Sequence, residues 1–179
     1  MTGKPRRLLG TSLALGLLLA LATGVVASQV RNYVAPLSGG EEVPANASKG
    51  RGVAIFQLSP DGTELDYRIT ASNINNVHMA HIHGPAAAGS NTGVVVWLFP
   101  STTPGAGPLG SGRHDGVLAT GTIRAANLVG AFAGQPLSVL VDAIESGQAY
   151  VNVHTNDGMG EVQTGIGDLQ FGEIRGQLP

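Results

Sequence analysis

The chain contains no cysteine, which excludes disulfides, thiolate metal sites and cysteine nucleophiles. An exported domain of this kind must hold its fold by packing alone, and any metal it binds must rest on nitrogen, oxygen or thioether sulfur. Basic residues are also scarce, ten against twelve acids, and Lys4, Arg6 and Arg7 sit at the extreme N-terminus. Without those three the balance is seven against twelve, near −5 with neutral histidines. That argues against nucleic acid as a partner. No serine occupies a Gly-x-Ser-x-Gly elbow, and no glycine-rich phosphate loop opens a helix. The carboxylate pairs Glu41–Glu42 and Glu64–Asp66 read as ordinary exposed neighbours with nothing to raise one pKa selectively, so no acid–base dyad is expected.

What is present begins with an export signal. Lys4, Arg6 and Arg7 precede an apolar stretch, Leu8 to Ala22, and Val25-Val26-Ala27 offers small residues for cleavage, so residues 1–27 are expected to be a signal peptide. A single uncleaved anchor is the alternative, but the stretch is nearer signal length than the twenty or so residues of a span. After cleavage no membrane span is expected. Residues 28–179 then form a single domain, long enough for one hydrophobic core.

Short period-two stretches punctuated by glycine and proline dominate that domain. Val53 to Leu58 and Glu64 to Ala71 alternate on either side of the turn Ser59-Pro60-Asp61-Gly62 and predict an antiparallel hairpin with one wet face. Further strands are expected near Val30 to Leu37, Val77 to His83, Val94 to Phe99, Val117 to Arg124, Tyr150 to Thr155 and Gly172 to Leu178. Pro100 to Gly116 and Asn156 to Phe171 read as long loops. Pro136, the apolar series Leu137, Leu140, Val141 and Ile144, and Gly147 predict one short helix with its start and stop signals in place. The expected fold is all-β: an antiparallel, Greek-key-like two-sheet sandwich of about eight strands with one short helix.

The most informative residues are histidines. In a strand, alternate side chains share a face about 6.5 Å apart, so His81 and His83 can converge on one ion. Tyr150 to Thr155 puts Val151 and Val153 on one face and Tyr150, Asn152 and His154 on the other. If the valines and Ile82 point into the core, then Met79, His81, His83 and His154 all point away from it. Were the two strands neighbours, His81, His83 and His154 would supply a three-nitrogen copper or zinc site, open at a fourth position or completed by Met79, Met159 or a carboxylate. The competing reading is a strand face whose histidines only bond cross-strand neighbours. His78 is expected on the opposite face and His114 in solvent. Glu173 and Arg175 read as a solvated face with weak ion pairs.

The segments Leu37-Ser38-Gly39-Gly40-Glu41-Glu42-Val43-Pro44, Ala80-His81-Ile82-His83-Gly84-Pro85-Ala86, Tyr150-Val151-Asn152-Val153-His154-Thr155 and Gly172-Glu173-Ile174-Arg175-Gly176-Gln177-Leu178 together resemble the chordin-type (CHRD) domain. Order and spacing match over about Tyr33 to Leu178, with a longer insert between His154 and Gly172. The resemblance implies an all-β sandwich and an extracytoplasmic location; the family includes the chordins, which bind secreted growth factors, and many bacterial exported proteins, and the resemblance itself supplies no ligand. The leading expectation is thus a secreted or periplasmic, non-catalytic binding module with a three-histidine copper or zinc site. The alternatives are a module recognising an extracellular or cell-envelope protein or polysaccharide through its long loops, with structural histidines, and a copper-dependent oxidoreductase using the same site.

Overall fold

The computed structural model describes residues 30–160 and 162–179, so the expected signal peptide lies outside the described residues. Alternation becomes burial as expected in the first hairpin: Ala54, Phe56 and Leu58 pack inward against Leu65, Tyr67 and Ile69, while Ile55 faces out. Eight strands form: β1 Arg31–Ser38, β2 Arg51–Leu58, β3 Leu65–Asn75, β4 Val77–His83, β5 Val94–Phe99, β6 Arg113–Ile123, β7 Tyr150–Thr155 and β8 Ile174–Gln177. Among the described residues the single α-helix, α1 Leu137–Glu145, starts after Pro136 and ends before Gly147, which takes a left-handed φ of 66°. Its buried face, Leu137, Leu140, Val141 and Ile144, joins the core. No helix among the described residues is long and apolar enough to cross a membrane.

The two-sheet sandwich is not what forms. All eight strands belong to one antiparallel sheet in the order β5-β4-β7-β8-β1-β2-β3-β6, curled into a nearly closed barrel. The reason lies at a corner. β3 passes into β4 through a single residue, Asn76, which like Asn73 has positive φ, so the chain bends from one side of the barrel to the other without leaving the sheet. Register shifts in the β3–β6, β4–β5 and β4–β7 pairs add the local twist and bending that closure needs. The ends of the sheet are joined through the core: the Tyr67 hydroxyl of β3 donates to the Leu98 carbonyl of β5 at 2.7 Å, and Leu128, just after β6, forms an isolated antiparallel bridge with Val96 on β5. β1, β2 and β3 form a meander that β6 extends beside β3, while β4 and β5 pair at the other end of the order beyond β7 and β8.

β6 also corrects the expected loop. It begins at Arg113, so His114 lies in a strand opposite Ile74, half-buried, with its Nε2 enclosed and unpaired. Of the glycines in the expected loop only Gly116 lies in β6, an edge strand that exposes much of its length; Gly105, Gly107, Gly110 and Gly112 precede it.

Where β8 crosses β1, Gly176 lies so close to its neighbour that a Cβ would meet the Pro36 carbonyl oxygen and Leu37. Gly176→Ala should therefore lower stability by at least about 1–3 kcal/mol, the cost of overpacking. Gly93→Ala, where a Cβ meets nothing within 4 Å, should be close to neutral. Urea denaturation of both variants measures the difference.

Candidate metal centre

Burial sets the phase of β4 and β7. Ala80 and Ile82 on β4, with Val151 and Val153 on β7, are wholly buried in the core. Alternation then sends Met79, His81 and His83 to the opposite face, where the register sets them across from His154, Asn152 and Tyr150 respectively. The strands are neighbours, and the three histidines converge. The expected parity holds, but the face is not wet: His81, His83 and His154 are only 3%, 8% and 6% exposed. Segments around Val43–Pro44, Asn91–Thr92 and Gln170–Phe171 lie over them.

The hydrogen bonds fix the tautomers. His83 Nδ1 lies 2.9 Å from the Thr92 carbonyl oxygen, and His154 Nδ1 lies 2.9 Å from that of Gln170. A carbonyl only accepts, so both Nδ1 atoms carry the proton and both Nε2 atoms are bare. His81 Nδ1, 3.1 Å from His154 Nε2, is then the donor in that contact. The Nε2 atoms of His81 and His83 are buried with no hydrogen-bond partner among the described residues. One ligand atom from each ring falls within 4.8 Å of the others. Two nitrogens on one tetrahedral ion stand roughly 3.3 Å apart, given bonds of about 2.0–2.1 Å, so small side-chain adjustments would suffice. Carbonyls holding Nδ1–H while Nε2 is presented are the usual outer support of a metal-binding imidazole.

Electrostatics favour the ligating form. Burial, reinforced by neighbouring histidines, drives His81 down to about 2. Burial likewise lowers His154 to about 4, and it lowers His83 despite the opposing bond to Thr92. Neutral imidazoles need lose no net proton to bind an ion.

A polar layer surrounds the triad. His81 meets the edge of Trp97 with centroids 4.2 Å apart. Tyr150 stacks on His83 at 4.8 Å, and the Arg175 guanidinium lies 3.4 Å from the centroid of the Tyr150 ring. Asn152, opposite both His81 on β4 and Arg175 on β8, donates to Glu42 Oε2 at 3.3 Å. Glu42 is buried and pushed up to about 7 by desolvation, which outweighs the lowering by Arg175 and by the Asn152 hydrogen bond. It is therefore not the ordinary exposed acid expected from its pairing with Glu41.

Glu173 and Arg175 overturn a second expectation, since both are buried rather than solvated. Glu173 accepts from Ser48 Oγ, Thr155 Oγ1 and the Gly167 amide, and Arg175 donates to Asn91 Oδ1 and the Ser90 carbonyl. Strand parity could have found Arg175, because it shares a face with Asn152 across β7 and β8. Nothing in the sequence distinguishes Glu42. Of the candidate completing ligands, Met79 sits half-buried opposite His154, whereas Met159 is 85% exposed on the loop after β7. His78 lies at the β4–β7 bulge, buried, with its Nδ1 without a hydrogen-bond partner among the described residues. It is outside the converging group.

A model of the CHRD domain matches residues 33–163, a span that contains all three histidines. The resembling block at 172–178 falls beyond that match, although β8 within it pairs with both β7 and β1. No curated protein and no solved structure matches the chain.

The buried histidines make stability depend on pH. An unfolded histidine titrates near 6.5. Between that value and the lower folded values of His81 and His154, only the unfolded chain binds their protons, so stability is full above about 6.5 and falls on acidification. Glu42 opposes this, because below about 7 it is the folded state that takes up the proton. Two histidines outweigh one carboxylate, and His83 acts in the same direction. Between pH 6.5 and 5 the urea midpoint should drop, at about 1.4 kcal/mol or more per pH unit for a net difference of one proton. Glu42→Gln should steepen the loss. A midpoint unchanged across that range would contradict a neutral, buried triad.

Proposed function

The chain belongs to the CHRD domain family, and we propose that it is an exported, non-catalytic binding module of that family, holding one copper or zinc ion through His81, His83 and His154. The observation that carries this reading is the convergence of three imidazole ligand atoms within 4.8 Å, all on buried rings. An all-nitrogen set without thiolate suits copper or zinc over harder cations. The basic, apolar leader with small residues at 25–27 supports export.

Protein purified without a histidine tag should carry, or take up, about one equivalent of copper or zinc. His83→Ala and His154→Ala should lose most of it while keeping the β-sheet circular dichroism. Trp97, the chain's single tryptophan, provides a second readout. Because its ring touches His81, Cu(II) should quench its fluorescence to saturation at one equivalent in the wild type and not in His83→Ala. Equal and negligible metal in wild type and variants would overturn the assignment.

A second reading has its own support. Leu109, Met159, Val162, Ile166 and Phe171 are exposed apolar side chains in two loops, and the loops meet where the Gly110 amide donates to the Asn156 carbonyl. Recognition of an extracellular or envelope protein or polysaccharide through these loops would leave metal content unchanged when residues 101–108 are shortened, while partner capture is lost. Retained capture would count against it.

A further inference from the structure

We propose that the three-histidine site takes a small exogenous anion as an additional ligand of its metal, admitted through the cavity beside His83 and His154. This rests on the metal reading above. A cavity of about 440 Å³ is bounded by His83, His154, Tyr150, Asn152, Thr92 and Gln170 among others. A water occupies roughly 30 Å³ of liquid, so a few-atom ligand fits easily. His81 does not border the cavity. An ion held by all three rings would have protein on the His81 side and open space on the other.

Charge selects the class of ligand. An imidazole ligates as a neutral group, so three of them leave the double positive charge of Cu(II) or Zn(II) uncompensated in a buried place, where an unpaired charge is costly. No carboxylate belongs to the converging group. Arg175 adds a further positive charge: among the described residues its hydrogen bonds go to Asn91, the Ser90 carbonyl and Gln177 and its face to Tyr150, and to no carboxylate, Glu42 feeling it only through space. Glu173 is already committed to Ser48, Thr155 and the Gly167 amide. Glu42 reaches Asn152 but makes no contact with the histidines, and its carboxyl is held toward the protonated form by burial. The side chains bordering the cavity include no acid and no lysine or arginine.

Asn152 supplies the second recognition element. It is buried, stands across from His81, borders the cavity, and leaves its Oδ1 unpaired while Nδ2 makes only one 3.3 Å bond. An amide can present either end, so it can turn an N–H toward an anion held by the metal.

The experiment titrates azide into the Cu(II)-loaded chain and follows the azide-to-copper charge-transfer absorption, with copper measured in the same sample. A new band that saturates in the millimolar range and is reversed by chloride is expected. Asn152→Ala should weaken azide about tenfold at unchanged copper content, as expected for loss of one hydrogen bond to a charged group. Asn152→Asp, nearly the same shape but charge-compensating, should retain copper and weaken azide by more than Asn152→Ala does. A copper-loaded wild type that shows no band at tens of millimolar azide overturns the anion site and leaves the metal reading standing, as does an Asn152→Asp variant that binds azide as well as wild type. A chain that holds no copper overturns both.

Discussion

The register of β4 on β7 is the constraint on which the rest of the site depends. Ala80, Ile82, Val151 and Val153 are wholly buried on the inner face of these two strands. Sliding one strand by a single residue would exchange every side chain between faces, sending imidazoles inward and aliphatics outward. Such a slip would take Ile82 and both valines out of their apolar packing and bury imidazoles in the core without partners, each unsatisfied polar group costing about 1–3 kcal/mol. Apolar packing therefore fixes the register, and the register delivers Met79, His81 and His83 to His154, Asn152 and Tyr150. No residue of the polar face has to enforce its own placement.

Covering the outer face and orienting the histidines are one event. The carbonyls that fix the His83 and His154 rings, those of Thr92 and Gln170, belong to the segments that exclude water from them. The corner residue Asn76 ties these parts together: its carbonyl accepts from the Asn156 amide, its side-chain amide donates to the Gly167 carbonyl, and its Oδ1 accepts from the Gly112 amide. The bend that curls the sheet into a barrel is thus also the anchor of the loop leading toward the site. Gly172 allows the final approach, since a Cβ there would collide with both Asn152 and Glu42.

Period two in the sequence reports which residues oppose the core, and for that purpose it served well. β2, β3, β4, β5 and β7 lie close to where alternation puts them, and α1 is bounded by its own Pro136 and Gly147. Parity alone brought His81, His83 and His154 to one face. The same pattern is silent on whether something covers the other face, because the covering residues lie outside the strands, in loops with no periodicity or on distant segments: Thr92 above His83, Gln170 above His154, Ser48 on Glu173 across 125 positions. For that reason Glu173, Arg175 and Glu42 read as ordinary surface charges in the sequence while the structure buries all three. Sandwich and barrel are likewise indistinguishable by alternation, since each buries one face of every strand. The choice between them rests on how Asn73 and Asn76 turn and where bulges fall, and those are properties of pairing rather than of any single strand.

The polar layer on β4, β7 and β8 is expensive as it stands. His81 Nε2, His83 Nε2, Asn152 Oδ1 and Glu42 Oε1 are all buried without partners among the described residues, and each such atom costs on the order of 1–3 kcal/mol. Against a typical net stability of about 5–15 kcal/mol, that is a large fraction. An aliphatic layer of similar volume would be cheaper to bury, so the fold alone gives no reason for these residues. A ligand that engages the bare nitrogens only in the folded chain would return stability in proportion to its concentration over its dissociation constant. Protons compete for the same nitrogens, and burial keeps them off at neutral pH. Desolvation thus does two things at once: it strips the imidazoles of water and protons, and it leaves them as acceptors whose best remaining partner is a cation. On the metal reading proposed above, an ion held by the three imidazoles would offset the cost of burying them, whereas an aliphatic layer would need no such compensation.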